Sequence, residues 1–155
     1  MQQYSPSILS WGLILCFTLG LVACQESTQP ASMDPPAAPA FQSTATGLQF
    51  RQLRAGTGPQ ASAGQEALIH ETTRLKDGTM VTDTWSMNFP IRFLLGGNQV
   101  IDGMDQAVQA MRVGEWQELI VPPSLSRRTT YPDAFGPEDT LYYEVVLLQL
   151  SDPTN

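Results

Sequence analysis

The sequence contains few cysteines and a single histidine, which argues against several classes of site. Its two cysteines, Cys16 and Cys24, both lie in the first 24 of 155 residues. A domain formed by the residues that follow has no thiol and no disulfide, so its hydrophobic core must stabilise it unaided. The lone histidine, His70, has no second histidine at Arg74, and the residues around it are typical of a strand. A zinc site and a Ser-His hydrolase are therefore both disfavoured.

Positive charge is also scarce in this chain. Eight Lys and Arg residues stand against 15 Asp and Glu, the net charge is −7, and no basic residue precedes Arg51. Nucleic-acid binding needs a concentrated basic face, because phosphate contacts supply most of its affinity. The dispersed basic residues therefore argue against nucleic acid as a partner, and the acidity favours solubility.

The longest hydrophobic run stands near the start of the chain. Residues 8–23 are almost all apolar, and Leu21-Val22-Ala23-Cys24 is similar to a bacterial lipobox. The run is shorter than the roughly 20 residues that span a bilayer and is typical of an export signal. We therefore expect lipidation of Cys24 and a location in the bacterial cell envelope facing the periplasm, and Gln25 favours the outer membrane. Because no Lys or Arg precedes the run, an uncleaved anchor and an ordinary secretory signal stay open.

The composition divides the chain into three regions. We expect a signal peptide at 1–23, a lipidated cysteine with a disordered tether at 24–45, and a folded domain at 46–151. The tether is rich in Pro, Ala, Ser and Gln, and such a segment cannot bury a hydrophobic core. It would hold the domain away from the lipid surface.

Alternating apolar residues and one helical stripe predict the architecture of the domain. Strands are predicted at 48–53, 67–75, 79–82, 90–95, 115–121 and 141–150. Ile101, Met104, Val108 and Met111 are spaced three, four and three apart, which indicates a helix. A single helix with one apolar stripe must bury it against a sheet. The fold class is therefore α+β, with a curved antiparallel β-sheet wrapped around one short α-helix.

The order of these segments resembles the FKBP-type peptidyl-prolyl isomerases. The matching segments are Leu68-Ile69-His70, Leu75-Lys76-Asp77-Gly78, Ile91-Arg92-Phe93-Leu94-Leu95-Gly96, Gln99-Val100-Ile101-Asp102-Gly103-Met104, Met111-Arg112-Val113-Gly114-Glu115 and Leu141-Tyr142-Tyr143-Glu144-Val145-Val146-Leu147-Leu148. The resemblance implies an FKBP-like fold and cis-trans isomerisation at proline, a reaction that needs no cofactor and no metal. It implies proline-containing segments of exported proteins as partners. We also expect a monomer, because the chain lacks the helical arm of dimeric relatives.

The resemblance also places a proline-binding cup on this chain. It implies catalytic roles for Ile101, Val100, Met104, Tyr143 and Phe93, and a pocket formed by Val81, Asp83, Ile91, Gln99, Tyr131 and Phe135. The backbone N–H of Ile101 is the expected donor to the peptide, and Met104 is the expected floor. The alternative is that Val100 and Ile101 only start the helix and pack inward.

Several positions depart from the family pattern. Glu71 stands where the family usually has Tyr, Val81-Thr82 where it has Phe-Asp, Met104 where it has Trp, and Leu125-Ser126-Arg127 where it has Ala-Tyr-Gly. The last change removes a tyrosine hydroxyl that normally reaches the substrate carbonyl. These departures favour an alternative function, a catalytically weak or inactive chaperone or binding module on the same scaffold.

Three residues near the cup have two interpretations each. Asp83 either replaces the displaced pocket carboxylate or is a solvated turn residue, and Trp85 either contacts substrate or covers the core. Glu71 is expected to lie exposed at the pocket edge, with pairing to Arg127 or Arg92 as the alternative. Glu71 projecting into the middle of the cup, or a cup filled by the protein's own side chains, would argue against an isomerase and leave only the scaffold, because burying an unpaired charge is costly.

Overall fold

The computed structural model describes residues 38–153 as seven strands, one α-helix and one short 3₁₀ turn. The predicted signal peptide, the Cys24 lipidation site and most of the predicted tether lie outside these residues. The elements are β1 (Gln42–Ser43), β2 (Gln49–Arg54), β3 (Glu66–Arg74), β4 (Met80–Asp83), β5 (Ile91–Leu94), α1 (Asp102–Ala110), β6 (Trp116–Val121), the 3₁₀ turn (Pro123–Leu125) and β7 (Leu141–Ser151). Within residues 38–153, no helix is long and apolar enough to cross a membrane.

The strands form one antiparallel sheet in the order β1-β2-β6-β7-β3-β4. Strand β5 pairs with the first half of β3, from Glu66 to Ile69, and β4 pairs with its second half, from Thr72 to Arg74. Both therefore lie along the same edge of β3. The sheet is open rather than a closed barrel, and the predicted α+β fold class is confirmed.

The helix covers one face of this sheet. Its buried side carries Met104, Ala107 and Val108, which join the alternate buried residues Leu119 and Val121 of β6 in one core. Each large apolar side chain removed from water in this way contributes about 1.5–3 kcal/mol. The three-four-three spacing in the sequence therefore identified the correct helical face.

The start of the helix is an extended residue rather than a polar cap. Ile101 precedes the first turn with φ −66° and ψ 152°, and no side chain caps the helix there. Asp102 and Asp105 in the first turn interact favourably with the positive end of the helix dipole. The backbone thus changes from extended to helical immediately after Ile101, and Ile101 lies at the N-terminus of the helix.

The first strand corrects the predicted domain boundary. Gln42 pairs with Phe50 and Ser43 with Gln49, so residues assigned to the disordered tether at 24–45 belong to the sheet. Both residues of β1 are exposed and polar, and no hydrophobic alternation marks them. The strand is held by backbone pairing to β2, a signal that the side-chain pattern does not carry.

Candidate active site

A cavity of about 480 Å³ opens between β3, β4 and β5 on one side and the start of α1 on the other. This volume lies in the range of about 300–1,000 Å³ that small-ligand pockets occupy. We call this cavity the cup. The residues that line it are Ile69, Glu71, Thr73, Val81, Thr82, Ile91, Asn98, Gln99, Val100, Ile101, Met104, Arg127, Arg128, Thr129, Phe135 and Tyr143.

Eight of the eleven residues expected in the cup line it. These are Val81, Ile91, Gln99, Val100, Ile101, Met104, Phe135 and Tyr143. Met104 is only 2% exposed and belongs to the hydrophobic core as well, so it is both floor and core residue. The side chains that line the cup leave its volume of about 480 Å³ unfilled.

The other three expected residues lie elsewhere. Phe93 is 2% exposed and packs in the core without lining the cup. Tyr131 packs edge-on against Phe135, with ring centroids 6.1 Å apart, so it supports a lining residue without being one. Asp83 also lies outside the lining residues.

Asp83 is the last residue of β4, and its side chain holds the turn that follows, which corrects its assignment to the pocket. Its carboxylate accepts hydrogen bonds from the backbone N–H groups of Trp85 and Ser86, at 3.0 and 3.2 Å, and from the Ser86 hydroxyl. The hydrogen bonds from Ser86 lower the pKa of Asp83 below its usual value. The carboxylate is therefore held by the turn after β4 and does not replace the pocket carboxylate of the family.

The backbone N–H of Ile101 is available at the rim of the cup. Among residues 38–153, no group accepts a hydrogen bond from it. Two contacts hold the chain on either side: the Leu94 N–H donates to Gln99 Oε1 at 2.8 Å, and the Gly96 N–H donates to Asp105 Oδ1 at 2.9 Å. An unused donor on a braced segment is suited to bind a carbonyl oxygen.

Glu71 lies in the wall of the cup rather than exposed at its edge, which overturns that expectation. The residue is 9% exposed, and its Oε1 accepts a long hydrogen bond of 3.4 Å from the Thr73 hydroxyl. Burial raises the pKa of Glu71 to about 7, against smaller lowering effects of Thr73 and Arg128. Within the described residues no arginine forms an ion pair with it, and Arg92 lies 3.4 Å from Glu66 instead.

Tyr143 of β7 also lines the cup and is a second polar residue near Glu71. Burial and, to a smaller extent, the nearby Glu71 carboxylate raise the pKa of Tyr143 to about 12, against smaller lowering effects of Arg128 and Thr73. Tyr143 therefore stays protonated at neutral pH and presents a hydroxyl. The cup has an apolar floor and lip and one polar side, formed by Glu71, Thr73, Arg128 and Tyr143.

Trp85 does not line the cup. Its indole stacks on the His70 ring, with centroids 4.2 Å apart and an angle of 23°, and half of its surface stays exposed. The His70 ring in turn shares a hydrogen bond of 2.9 Å with the Thr84 hydroxyl through Nδ1. The single histidine therefore supports the turn after β4 and faces away from the cup.

Glu71 was misplaced, and seven further lining residues were not predicted from the sequence: Ile69, Thr73, Thr82, Asn98, Arg127, Arg128 and Thr129. The position of Glu71 could have been predicted from the strand pattern. Ile69, Glu71 and Thr73 alternate onto one face of β3, and that face lines the cup. Arg128 and Thr129 lie in an irregular segment that carries no periodic signal. Only the folded chain brings that segment beside the helix.

The arrangement supports catalysis without a nucleophile. Rotation about an Xaa-Pro bond must overcome a barrier of about 18–20 kcal/mol, because the amide resonance is lost. A twisted amide separates less charge than a planar one, so an apolar cup favours it relative to water. The Ile101 donor would fix the peptide while the floor holds the ring.

Known proteins with similar sequences and folds agree with this geometry. The sequence profile of the FKBP-type peptidyl-prolyl cis-trans isomerases matches residues 58–148. The FK506-binding protein of Streptomyces anulatus is 39% identical over 80 residues, which make up 51% of this chain and 64% of that protein. The peptidyl-prolyl cis-trans isomerase Fkbp12 of Drosophila melanogaster is 31% identical over 106 residues, 67% of this chain and 98% of that protein.

A solved structure shows the same fold. The crystal structure of FkpA from Escherichia coli aligns with a TM-score of 0.67 at 23% identity, covering 75% of this chain and 54% of that one. The chain spans 64% of the Streptomyces protein and smaller shares of several longer relatives. The family match covers more than half of the chain and includes strands β3 to β6, most of β7, the helix and the lip of the cup. The chain therefore belongs to the FKBP-type peptidyl-prolyl cis-trans isomerase family.

Proposed function

We propose that this chain is an active peptidyl-prolyl cis-trans isomerase that binds proline-containing segments in the cup. The observation that carries the proposal is the unused N–H of Ile101 at the rim of an open cavity with Met104 as its floor. The proline ring packs on Met104 between Val81 and Ile91, and the Ile101 N–H donates to a carbonyl of the peptide. The apolar floor and lip of the cup then stabilise the twisted amide relative to its planar form.

The test is an exchange assay on the peptide Ala-Leu-Pro-Phe, followed by NMR or by coupled proteolysis. We expect the wild-type domain to accelerate cis-trans exchange and Met104→Ala to abolish most of the acceleration, with folding checked by circular dichroism. An unchanged exchange rate at high wild-type concentration, with turnover restored by Met104→Trp, would identify a binding module instead.

A second function, the binding of unfolded chains, is favoured by an exposed apolar loop beside the cup. Residues 84–90 connect β4 to β5, the strands that carry the lining residues Val81 and Ile91. This loop contains Trp85, Met87 and Phe89, whose side chains are 47%, 61% and 72% exposed. Exposed apolar side chains grouped in this way mark interaction surfaces. The loop would grip apolar residues that flank a proline and so extend the contact beyond the cup.

This second function is separable from catalysis on a short peptide. We expect the double variant Met87→Ser, Phe89→Ser to lose the ability to suppress aggregation of an unfolded protein, while its exchange rate on Ala-Leu-Pro-Phe stays within about twofold. The control is Leu53→Ser, which removes an exposed apolar side chain from β2. Equal suppression by all three proteins would contradict the binding role of the loop.

The proposed location is the bacterial envelope, where a lipid on Cys24 would hold the domain facing the periplasm as an outer-membrane lipoprotein that assists folding of exported proteins. The support is the apolar run at 8–23 followed by the lipobox-like residues. Labelling cells with a radioactive fatty acid tests the anchor. We expect Cys24→Ser to lose the label and Cys16→Ser to keep it, and label that persists after Cys24→Ser would refute the anchor.

A further inference from the structure

The wall of the cup contains a carboxyl group that the proposed mechanism leaves unused. Glu71 lies on β3 between Ile69 and Thr73, all three line the cup, and the residue is buried. Its one side-chain hydrogen bond among the described residues is the 3.4 Å contact from Thr73. A carboxyl group has capacity for several hydrogen bonds, so Glu71 is free to bond to a molecule in the cup.

The charged groups around Glu71 do not neutralise it by pairing. From the segment after the 3₁₀ turn, Arg127 and Arg128 line the same cup, and from β7 Tyr143 faces it. Neither arginine comes within ion-pair distance of the carboxylate in the described structure.

The remaining charged neighbours are engaged elsewhere. On β4, Asp83 is bound to Ser86, and on β5, Arg92 contacts Glu66. At the start of α1, Asp105 accepts hydrogen bonds from Gly96 and Gln109, and Asp102 is exposed. On β3 itself, His70 bonds to Thr84. Since burial without a partner penalises the anion, the neutral carboxyl is populated up to near-neutral pH.

A bound prolyl peptide has more than one carbonyl oxygen to satisfy, and Glu71 lines the cup beside the Tyr143 hydroxyl and the side chains of Arg127 and Arg128 as a further donor. The peptide's carbonyl oxygens accept hydrogen bonds only, and an acceptor that loses water without gaining a donor costs binding free energy. The Ile101 N–H satisfies one of them. Ser126 takes the place of a family tyrosine, but it is 1% exposed, its hydroxyl bonds to the Pro123 carbonyl and it does not line the cup.

We propose that the protonated carboxyl of Glu71 donates a hydrogen bond to a carbonyl oxygen of the substrate, so that ionisation of Glu71 switches the isomerase to a weaker state. This inference rests on the proposed isomerase function. The carboxylate has no proton to donate, and its charge repels the same oxygen. Glu71 is then a catalytic residue on the wall where the family usually has a tyrosine.

The test is the pH dependence of kcat/KM on Ala-Leu-Pro-Phe between pH 5.5 and 8.5. With a pKa of about 7 for Glu71, we expect a plateau below pH 6 and a loss of about tenfold between pH 6 and pH 8. Glu71→Gln keeps a neutral donor, so its profile should be flat and its rate close to the wild-type plateau. Glu71→Ala should be flat and at least about fivefold slower than that plateau, since the donor is gone.

His70→Gln is the matched control, because it replaces the imidazole next to Glu71 on β3 without changing a residue that lines the cup. It should keep the wild-type pH profile. A flat wild-type profile, a pH dependence that survives in Glu71→Gln, or a Glu71→Ala rate equal to wild type at pH 6 would each overturn the role of Glu71. Those results leave the isomerase function standing, whereas no acceleration at any pH by any of the proteins overturns both.

Discussion

Replacing Ile101 by proline is expected to lower the isomerase efficiency by about tenfold without unfolding the domain. Proline has no backbone N–H, so it cannot donate the proposed hydrogen bond to the substrate carbonyl. Losing a hydrogen bond of about 1.4 kcal/mol corresponds to a tenfold loss of rate. The backbone tolerates the change, because Ile101 has φ −66°, close to the value that proline imposes. No hydrogen bond among the described residues uses this N–H, so folding loses none.

The matched control for this variant is Ile101→Ala, which removes the lip side chain and keeps the N–H. The ratio of kcat/KM between the two variants, measured on Ala-Leu-Pro-Phe, isolates the contribution of the donor. Both proteins should unfold within a few degrees of each other. Equal efficiencies would show that the N–H plays no part and that the Ile101 side chain alone matters.

The second large effect concerns stability, and it follows from the burial of Glu71. Its pKa is about 7 in the folded protein against a usual value of 4.5, so the native state binds more protons than the unfolded state between those values. The free energy of unfolding therefore falls as the pH rises from about 4.5 to 7 and stays lower above. The loss corresponds to about 3 kcal/mol, since each pKa unit is worth 1.36 kcal/mol.

Glu71→Gln should remove this loss. Its free energy of unfolding relative to wild type should be more favourable at pH 8 than at pH 4.5 by about 3 kcal/mol, as measured by urea denaturation at both values. The difference between the two proteins cancels the contributions of the other carboxyl groups, including Asp77 and Asp83, whose hydrogen bonds lower their pKa values. A difference that stays constant with pH would contradict a buried, titrating Glu71.

The position of Glu71 also bears on whether the cup accepts proline. A carboxylate fixed in an apolar cavity would oppose binding of a neutral ring, because desolvating an unpaired charge is costly. The raised pKa changes this conclusion below about pH 7, where the neutral carboxyl is a hydrogen-bond donor. The cavity itself stays open over Met104, so the space for the ring exists.

The fold was largely predictable from periodicity. Burial alternates along β6 and over parts of β3 and β7, and α1 carries the stripe from Met104 to Val108 that buries against β6. The strand ends differ from the predicted bounds by at most one residue. Strand β1 was missed because two exposed polar residues give no pattern, and only pairing with β2 defines it.

The site was predictable where the family resemblance fixed a position and less so where local geometry decided. The resemblance located Val100, Ile101 and Met104 in the cup, as the structure has them. Asp83 was misplaced because its direction depends on the turn that Ser86 closes. The register shift between Thr73 and Arg74 in the pairing of β3 with β4 also alters which residues face the cup, and composition does not reveal such a shift.

The most direct test of the proposed site is the amide resonance of Ile101 during titration of the ¹⁵N-labelled domain with Ala-Leu-Pro-Phe. We expect this amide proton to move downfield on binding, with smaller shifts at Val100, Met104 and Tyr143, and with catalysed exchange visible in the peptide signals. Binding that shifts residues elsewhere and leaves the Ile101 amide unchanged would contradict the assignment of the cup as the proline site.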